Sequence, residues 1–169
     1  MAELTPLEKL QPCLLDRLTD DEPEKKQESR NQRVVSLQRY REAVLRDLSW
    51  LLNTHADAGQ SGLDEFDDIV SSVLNFGVQN VAGMTGSNLS VDDTRYQLIE
   101  AIQRFEPRIL PDTLSIDIMI DPDAMSNRRS LSFEIRGVLW TQSIPESLFI
   151  KTELDLETGE ARINRGGSG

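Results

Sequence analysis

Apolar positions recur along this chain first with the period of a helix and then, in the second half, with the period of a strand. Leu7, Leu10, Leu14, Leu15 and Leu18 step by three and four, which predicts one face of a helix over residues 5–19. Residues 20–28 follow with no apolar side chain at all, the pattern of a solvated linker. The leucine face is therefore tethered, and the sequence leaves open whether it packs on its own domain or on a partner.

The clearest helix is predicted over residues 36–53. Leu37, Tyr40, Val44, Leu48 and Leu51 form its stripe, widened by Leu45 and Leu52, and Ser36 stands where an N-cap is needed. A second, shorter helix is predicted from Leu63, Phe66, Val70 and Val73, with acidic residues near its positive end and Phe76-Gly77 closing it. Residues 79–88 carry two glycines and no period, so they read as a loop. Ser90 caps a third helix whose face is Val91, Leu98, Ile102 and Phe105. Pro107 cannot continue it and disfavours helical dihedrals at Glu106, so the helix stops near Phe105.

Beyond this point the period is two. Leu114, Ile116, Ile118 and Ile120 alternate with polar residues, and Asp121-Pro122-Asp123 begins a turn. Leu131, Phe133 and Ile135 mark a second strand, with Gly137 read as a bulge. Leu148, Ile150, Thr152, Leu154 and Leu156 mark a third. Residues 157–160 read as a hairpin turn into a short strand, 161–164, whose outer edge is a place for another chain's strand to pair. Helices first and strands after predict an α+β fold: N-terminal helices packed on a small antiparallel β-sheet, with a flexible N-terminal helical arm. The expected division is an amphipathic arm and acidic linker at 1–30, an α+β domain at 31–165 and a disordered Gly-Ser tail at 166–169.

Composition narrows the chemistry. The chain has 169 residues, 38% of them apolar, and a net charge of −11. That length supports one domain with a real core. The acidity removes the basic footprint that nucleic-acid binding requires and disfavours anionic membrane surfaces. No apolar run approaches the ~20 residues of a membrane span, and the first residues lack the features of a secretory signal. Cys13 is the single cysteine, so no internal disulfide forms, which fits a reducing compartment. A cytoplasmic protein without membrane insertion is the expectation.

Catalytic and cofactor chemistry finds little support. One histidine, His55, and one cysteine, Cys13, cannot make a zinc site. Cys13 is expected as a small buried thiol on the first helix, and His55 as a solvated loop residue. There is no phosphate loop, dinucleotide fingerprint or nucleophile elbow, and no cofactor is expected. A muramidase would need two carboxylates across a sugar. With 29 acids in the chain some pair always offers itself, and Glu106 with Asp112 is the one that flanks a turn. The most specific local feature is Glu106-Pro107-Arg108, where proline ends a helix and sets opposite charges within three residues. It is either a corner that grips a partner or an ordinary helix stop with an internal ion pair.

The corner, followed by Ile109 and an alternating strand, resembles the signature of the small baseplate wedge family of contractile injection machines. Ser72-Val73-Leu74-Asn75-Phe76-Gly77 and the closing Leu154-Asp155-Leu156-Glu157-Thr158-Gly159-Glu160 resemble it too. Leu14-Leu15-Asp16-Arg17-Leu18 with the acidic linker is similar to the type VI secretion branch, TssE. The long N-terminal arm favours that branch over a phage-like one. The resemblance spans roughly residues 10–165. It implies a structural, non-enzymatic subunit beside larger wedge proteins, in a cytoplasmic complex docked at the inner membrane. It implies that Glu106 and Arg108 contact the core bundle formed by proteins of the TssF and TssG type, with Pro107 fixing their geometry. It also implies a likeness to the strand-exchanging domain of contractile sheath subunits, and so a part in starting the sheath. The family has carried a lysozyme-like label, which makes a peptidoglycan-cleaving hydrolase the alternative. A soluble adaptor that sequesters a regulator is a third reading.

Overall fold

The computed structural model describes residues 13–19, 24, 36–57, 61–63, 65–81, 90–119, 130–141 and 145–164. The leucines before Cys13, most of the acidic linker, most of the 79–88 loop, the Asp121 turn and the C-terminal tail lie outside these residues. Within them the α+β reading holds. Helices α1 (Leu14–Leu18), α2 (Leu37–Leu52), α3 (Asp67–Val70) and α4 (Val91–Phe105) precede strands β1 (Ser115–Met119), β2 (Ser130–Leu139), β3 (Glu146–Asp155) and β4 (Ala161–Asn164). The strands form one antiparallel sheet in the order β1-β2-β3-β4.

The two long helices start where their serines direct. The Ser36 hydroxyl accepts from the Arg39 N–H, and the Ser90 hydroxyl from the Asp93 N–H, each satisfying a donor that the first helical turn leaves open. The apolar stripe of α2 (Val44, Leu48, Leu51, Leu52) and that of α4 (Leu98, Ile102) are buried against one face of the sheet. That face is built from alternate residues of the strands: Ile116 of β1, Leu131, Phe133, Ile135 and Leu139 of β2, and Leu148, Ile150 and Leu154 of β3. Each such side chain stabilises the fold by roughly 1.5–3 kcal/mol through its burial.

The second predicted helix is not formed as such. After the single turn of α3 the chain breaks at Ser71 and Ser72, whose hydroxyls donate back to the carbonyls of Asp67 and Ile69. Ser72 then caps a separate 3-10 turn, Val73–Asn75. Local hydroxyl–backbone bonds compete with the helix here, and Val73 and Leu74 are left 80% and 79% exposed. Gly137 is not a bulge either. The β2–β3 register runs unbroken from Ser130↔Asp155 to Leu139↔Glu146. The glycine is needed for another reason: a Cβ there would come 2.9 Å from the Ile109 side chain.

At the other end of the sheet Asn53, just past α2, clamps β4. Its amide donates to the Ala161 carbonyl and its Oδ1 accepts the Ala161 N–H, both at 2.9 Å. The β4 edge is thus occupied at its start, and strand alternation leaves Ile163 as the next residue with outward main-chain groups. Thr152, paired with Phe133 across β2, is buried in the core, and its hydroxyl has no hydrogen-bond partner among the described residues. Thr152→Val keeps the shape and removes this unpaired polar atom. It is expected to raise unfolding stability by about 1 kcal/mol, read as a higher urea midpoint at unchanged slope.

Candidate functional site

The corner at the end of α4 is fixed from both sides by backbone bonds. The Glu106 N–H donates to the Ile102 carbonyl at 2.8 Å, ending the helix, and the Ile109 N–H donates to the Glu106 carbonyl at 3.1 Å, closing a turn over Pro107. The chain then runs beside the end of β2. Trp140 N–H donates to Arg108 O at 2.7 Å and Leu110 N–H to Val138 O at 2.9 Å, with Ile109 bridged to Leu139. Ile109 can sit this deep because Gly137 has no side chain. Tyr40 of α2 adds a hydroxyl donated to the Trp140 carbonyl at 3.0 Å.

The charges of the corner are paired inside the molecule. The Glu106 side chain is only 3% exposed and that of Arg108 18%. Glu106 Oε1 accepts from the Arg108 Nε at 2.6 Å and from its backbone N–H at 3.2 Å, while Oε2 accepts from Nη2. Pro107, between them, is exposed. Of the three residues, then, the acid is internal, the proline faces out and the guanidinium lies between the two.

Arg108 has a second partner that sequence reasoning missed. Its Nη2 donates to Asp47 Oδ2 of α2 at 2.6 Å. Asp47 in turn accepts from Arg46 Nε at 2.8 Å, and Arg46 Nη1 reaches Asp16 Oδ1 of α1 at 2.6 Å. The Cys13 thiol donates to the other Asp16 oxygen at 2.9 Å. Alternating charges thus run Asp16–Arg46–Asp47–Arg108–Glu106, linking the N-terminal arm to the corner. Cys13, expected as a small buried thiol on the first helix, is its N-cap and is only half-buried, because α1 lies on the surface.

Burial alone would lower the Arg108 pKa, but hydrogen bonds and charge attraction from Glu106 and Asp47 outweigh it and raise it, so the guanidinium stays charged. Burial likewise pushes the Asp16 carboxyl up, and the Cys13 and Arg46 contacts more than reverse this, holding it below the usual 3.8. A depressed folded-state pKa stabilises above the ordinary value and is lost as pH falls through the folded value. The tie between α1 and α2 is therefore expected to hold above about pH 4 and to loosen below it. Hydrogen exchange checks this: protection at the Arg17 and Thr19 amides, which bond within α1, should drop at low pH before that of α2.

Between α1, α2 and the corner lies a groove of about 220 Å³, lined by Leu15, Trp50, Leu51, Phe76 and Phe105 with Asp47, Glu106 and Arg108. Phe76 and Phe105 meet edge to face at 5.2 Å, and the Arg46 guanidinium lies 5.0 Å over the Trp50 ring. The Arg104 guanidinium donates to the Val70 carbonyl at 2.9 Å, tying α3 to α4.

The two carboxylates that flank the turn are placed differently. Glu106 is locked onto Arg108, and Asp112 is exposed on the 3-10 turn Pro111–Thr113. Among the described residues no group of three or more His, Cys, Asp or Glu could hold a metal ion, and no helix is long and apolar enough to cross a membrane. His55 is exposed, its backbone bridged to Val78. The arrangement is a helix end whose charges are paired inside the molecule, beside a largely apolar groove.

No curated protein and no solved structure matches the chain. The model of the family described as baseplate wedge protein gp25 matches residues 38–143, more than half of the sequence. The match runs from α2 through β2 and includes the corner and its Asp47 partner, while α1, β3 and β4 lie outside it. The chain therefore belongs to the baseplate wedge protein gp25 family.

Proposed function

We propose that the chain is a structural wedge subunit of a type VI secretion baseplate and works by assembly, not catalysis. Family membership gives a structural role in a baseplate alongside other baseplate proteins. The finer reading is that the Glu106-Pro107-Arg108 corner docks on a core bundle of TssF- and TssG-type proteins, in a cytoplasmic complex held at the inner membrane. The observation that carries it is the corner itself: a helix end whose buried charges hold Pro107 outward beside an apolar groove. In this reading Glu106 acts through Arg108, fixing the guanidinium, while Pro107 and the accessible edge of Arg108 meet the partner. In this reading the domain at 31–165 carries the corner, residues 1–30 are an arm and linker whose Leu15 lines the groove, and residues 166–169 are a tail. The β4 edge beyond the Asn53 clamp supports pairing with a strand of the contractile sheath, and so a part in starting the sheath.

Affinity purification of the tagged full chain from cells carrying the whole apparatus tests this. Core-bundle subunits are expected to co-purify in near-stoichiometric amount. Recovery of a regulator in their place, or clearing of a peptidoglycan suspension by the pure protein that a single acidic-residue substitution abolishes, would overturn it.

A further inference from the structure

Helix α1 carries Leu14, Leu15 and Leu18 at spacings that put them on neighbouring parts of one helix surface. It buries none of its residues: the three leucines are 69%, 42% and 74% exposed. A helix that had found its place on its own domain would hide them. What holds α1 is polar, the Asp16–Arg46 ion pair at 2.6 Å. Next to that pair, Leu15 lines the groove together with Phe76, Phe105 and half-exposed Trp50.

We infer that α1 is a clasp. It is pinned by Asp16 so that its leucines and the groove of the corner bind one and the same partner helix. The partner this surface fits is an amphipathic helix with a stripe of large aliphatic residues edged by lysine or arginine. The stripe matches Leu15, Trp50, Phe76 and Phe105. The basic edge matches the ionic chain from Asp16 to Glu106, whose three carboxylates exceed its two guanidiniums and leave one negative charge. The clasp differs from a cover in its consequence: the arm strengthens docking, where a cover would weaken it. This inference rests on the corner being the docking site.

The test titrates the full chain against purified core-bundle subunits by biolayer interferometry. Wild type is compared with a variant carrying Leu14→Ser, Leu15→Ser and Leu18→Ser, and with Asp16→Asn. Because the leucines are exposed, the unfolding midpoint should not move. Binding is expected to weaken by roughly tenfold or more in the leucine variant, mostly through faster dissociation, and by a smaller factor in Asp16→Asn. Unchanged or tighter binding by the leucine variant would overturn the clasp. Glu106→Gln/Arg108→Met, measured alongside, separates the two ideas. If it loses binding while the leucine variant does not, only the clasp fails. If it binds like wild type, the docking role of the corner fails and the clasp with it.

Discussion

Arg108→Ala is expected to destabilise the domain by about 3 kcal/mol, because removing one member of a buried ion pair strands the other. The stranded group is Glu106, whose side chain is 3% exposed and whose side-chain partner is Arg108. Asp47 suffers less, since it keeps Arg46. Arg108 is itself 18% exposed, so the cost falls at the low end of the range for such deletions. Arg108→Lys should recover only part of it. An ammonium cannot present the planar fork that bonds two carboxylates at once. The double variant Glu106→Gln/Arg108→Met removes both charges together. It should cost clearly less than the sum of the two single changes, a coupling of about 2 kcal/mol in a double-mutant cycle. Urea unfolding of the four proteins measures this, and additive single effects would show that the pair is not the unit described.

Gly77→Ala is expected to be at least as damaging, by roughly 3 kcal/mol or more. Gly77 has φ +135°, a conformation that side-chain-bearing residues rarely adopt. A Cβ at this position would collide with the Thr54 carbonyl oxygen and lie 2.7 Å from its carbon and 2.8 Å from the Ala56 nitrogen. These are backbone atoms and cannot swing aside. They belong to a small ladder in which Val78 N–H donates to Thr54 O at 2.9 Å and Ala56 N–H to Val78 O at 3.0 Å. That ladder joins the end of α2 to the segment carrying Phe76, so the substitution should also displace Phe76 from Phe105 and open the groove. Gly62→Ala is the control. Its φ is +67° but nothing lies within 4 Å of the added Cβ, so it should cost only about 1 kcal/mol. Equal losses at the two sites would show that the close approach at Gly77 does not matter.

What the sequence revealed and what it concealed follow from range. The periods of α2 and α4, their serine caps, the proline stop and the alternating strands are local signals, and each element stands where its pattern placed it. The Glu157–Glu160 turn is legible for the same reason: Gly159 takes φ +74°, which a side chain would resist. The helix expected from Leu63 to Val73 fails because spacing alone does not bury a residue. Ser71 and Ser72 draw the backbone into separate turns, and Val73 and Leu74 just beyond them stay outside. Gly137 was legible as special, but its reason lies in Ile109, nearly thirty residues earlier in the chain.

The site shows the same division. Glu106, Pro107 and Arg108 stand out as a helix stop with opposite charges, and their internal pairing is one of the two outcomes that pattern allows. Asp47 could not be found this way. It is one of 29 acids in the sequence, on a helix 61 residues from the arginine it binds. Its position beside Arg46, on the flank of the α2 stripe, was the only trace, and the same position links Arg108 to Asp16 in the arm. The net charge of −11 says nothing of this chain of five alternating charges.

The docking role of the corner is tested most directly by capture of core-bundle subunits with full-length Glu106→Gln/Arg108→Met, after its urea midpoint has shown the protein folded. Loss of capture, together with loss of sheath assembly in cells, is the expected result. A folded double variant that captures the bundle as wild type does would contradict it.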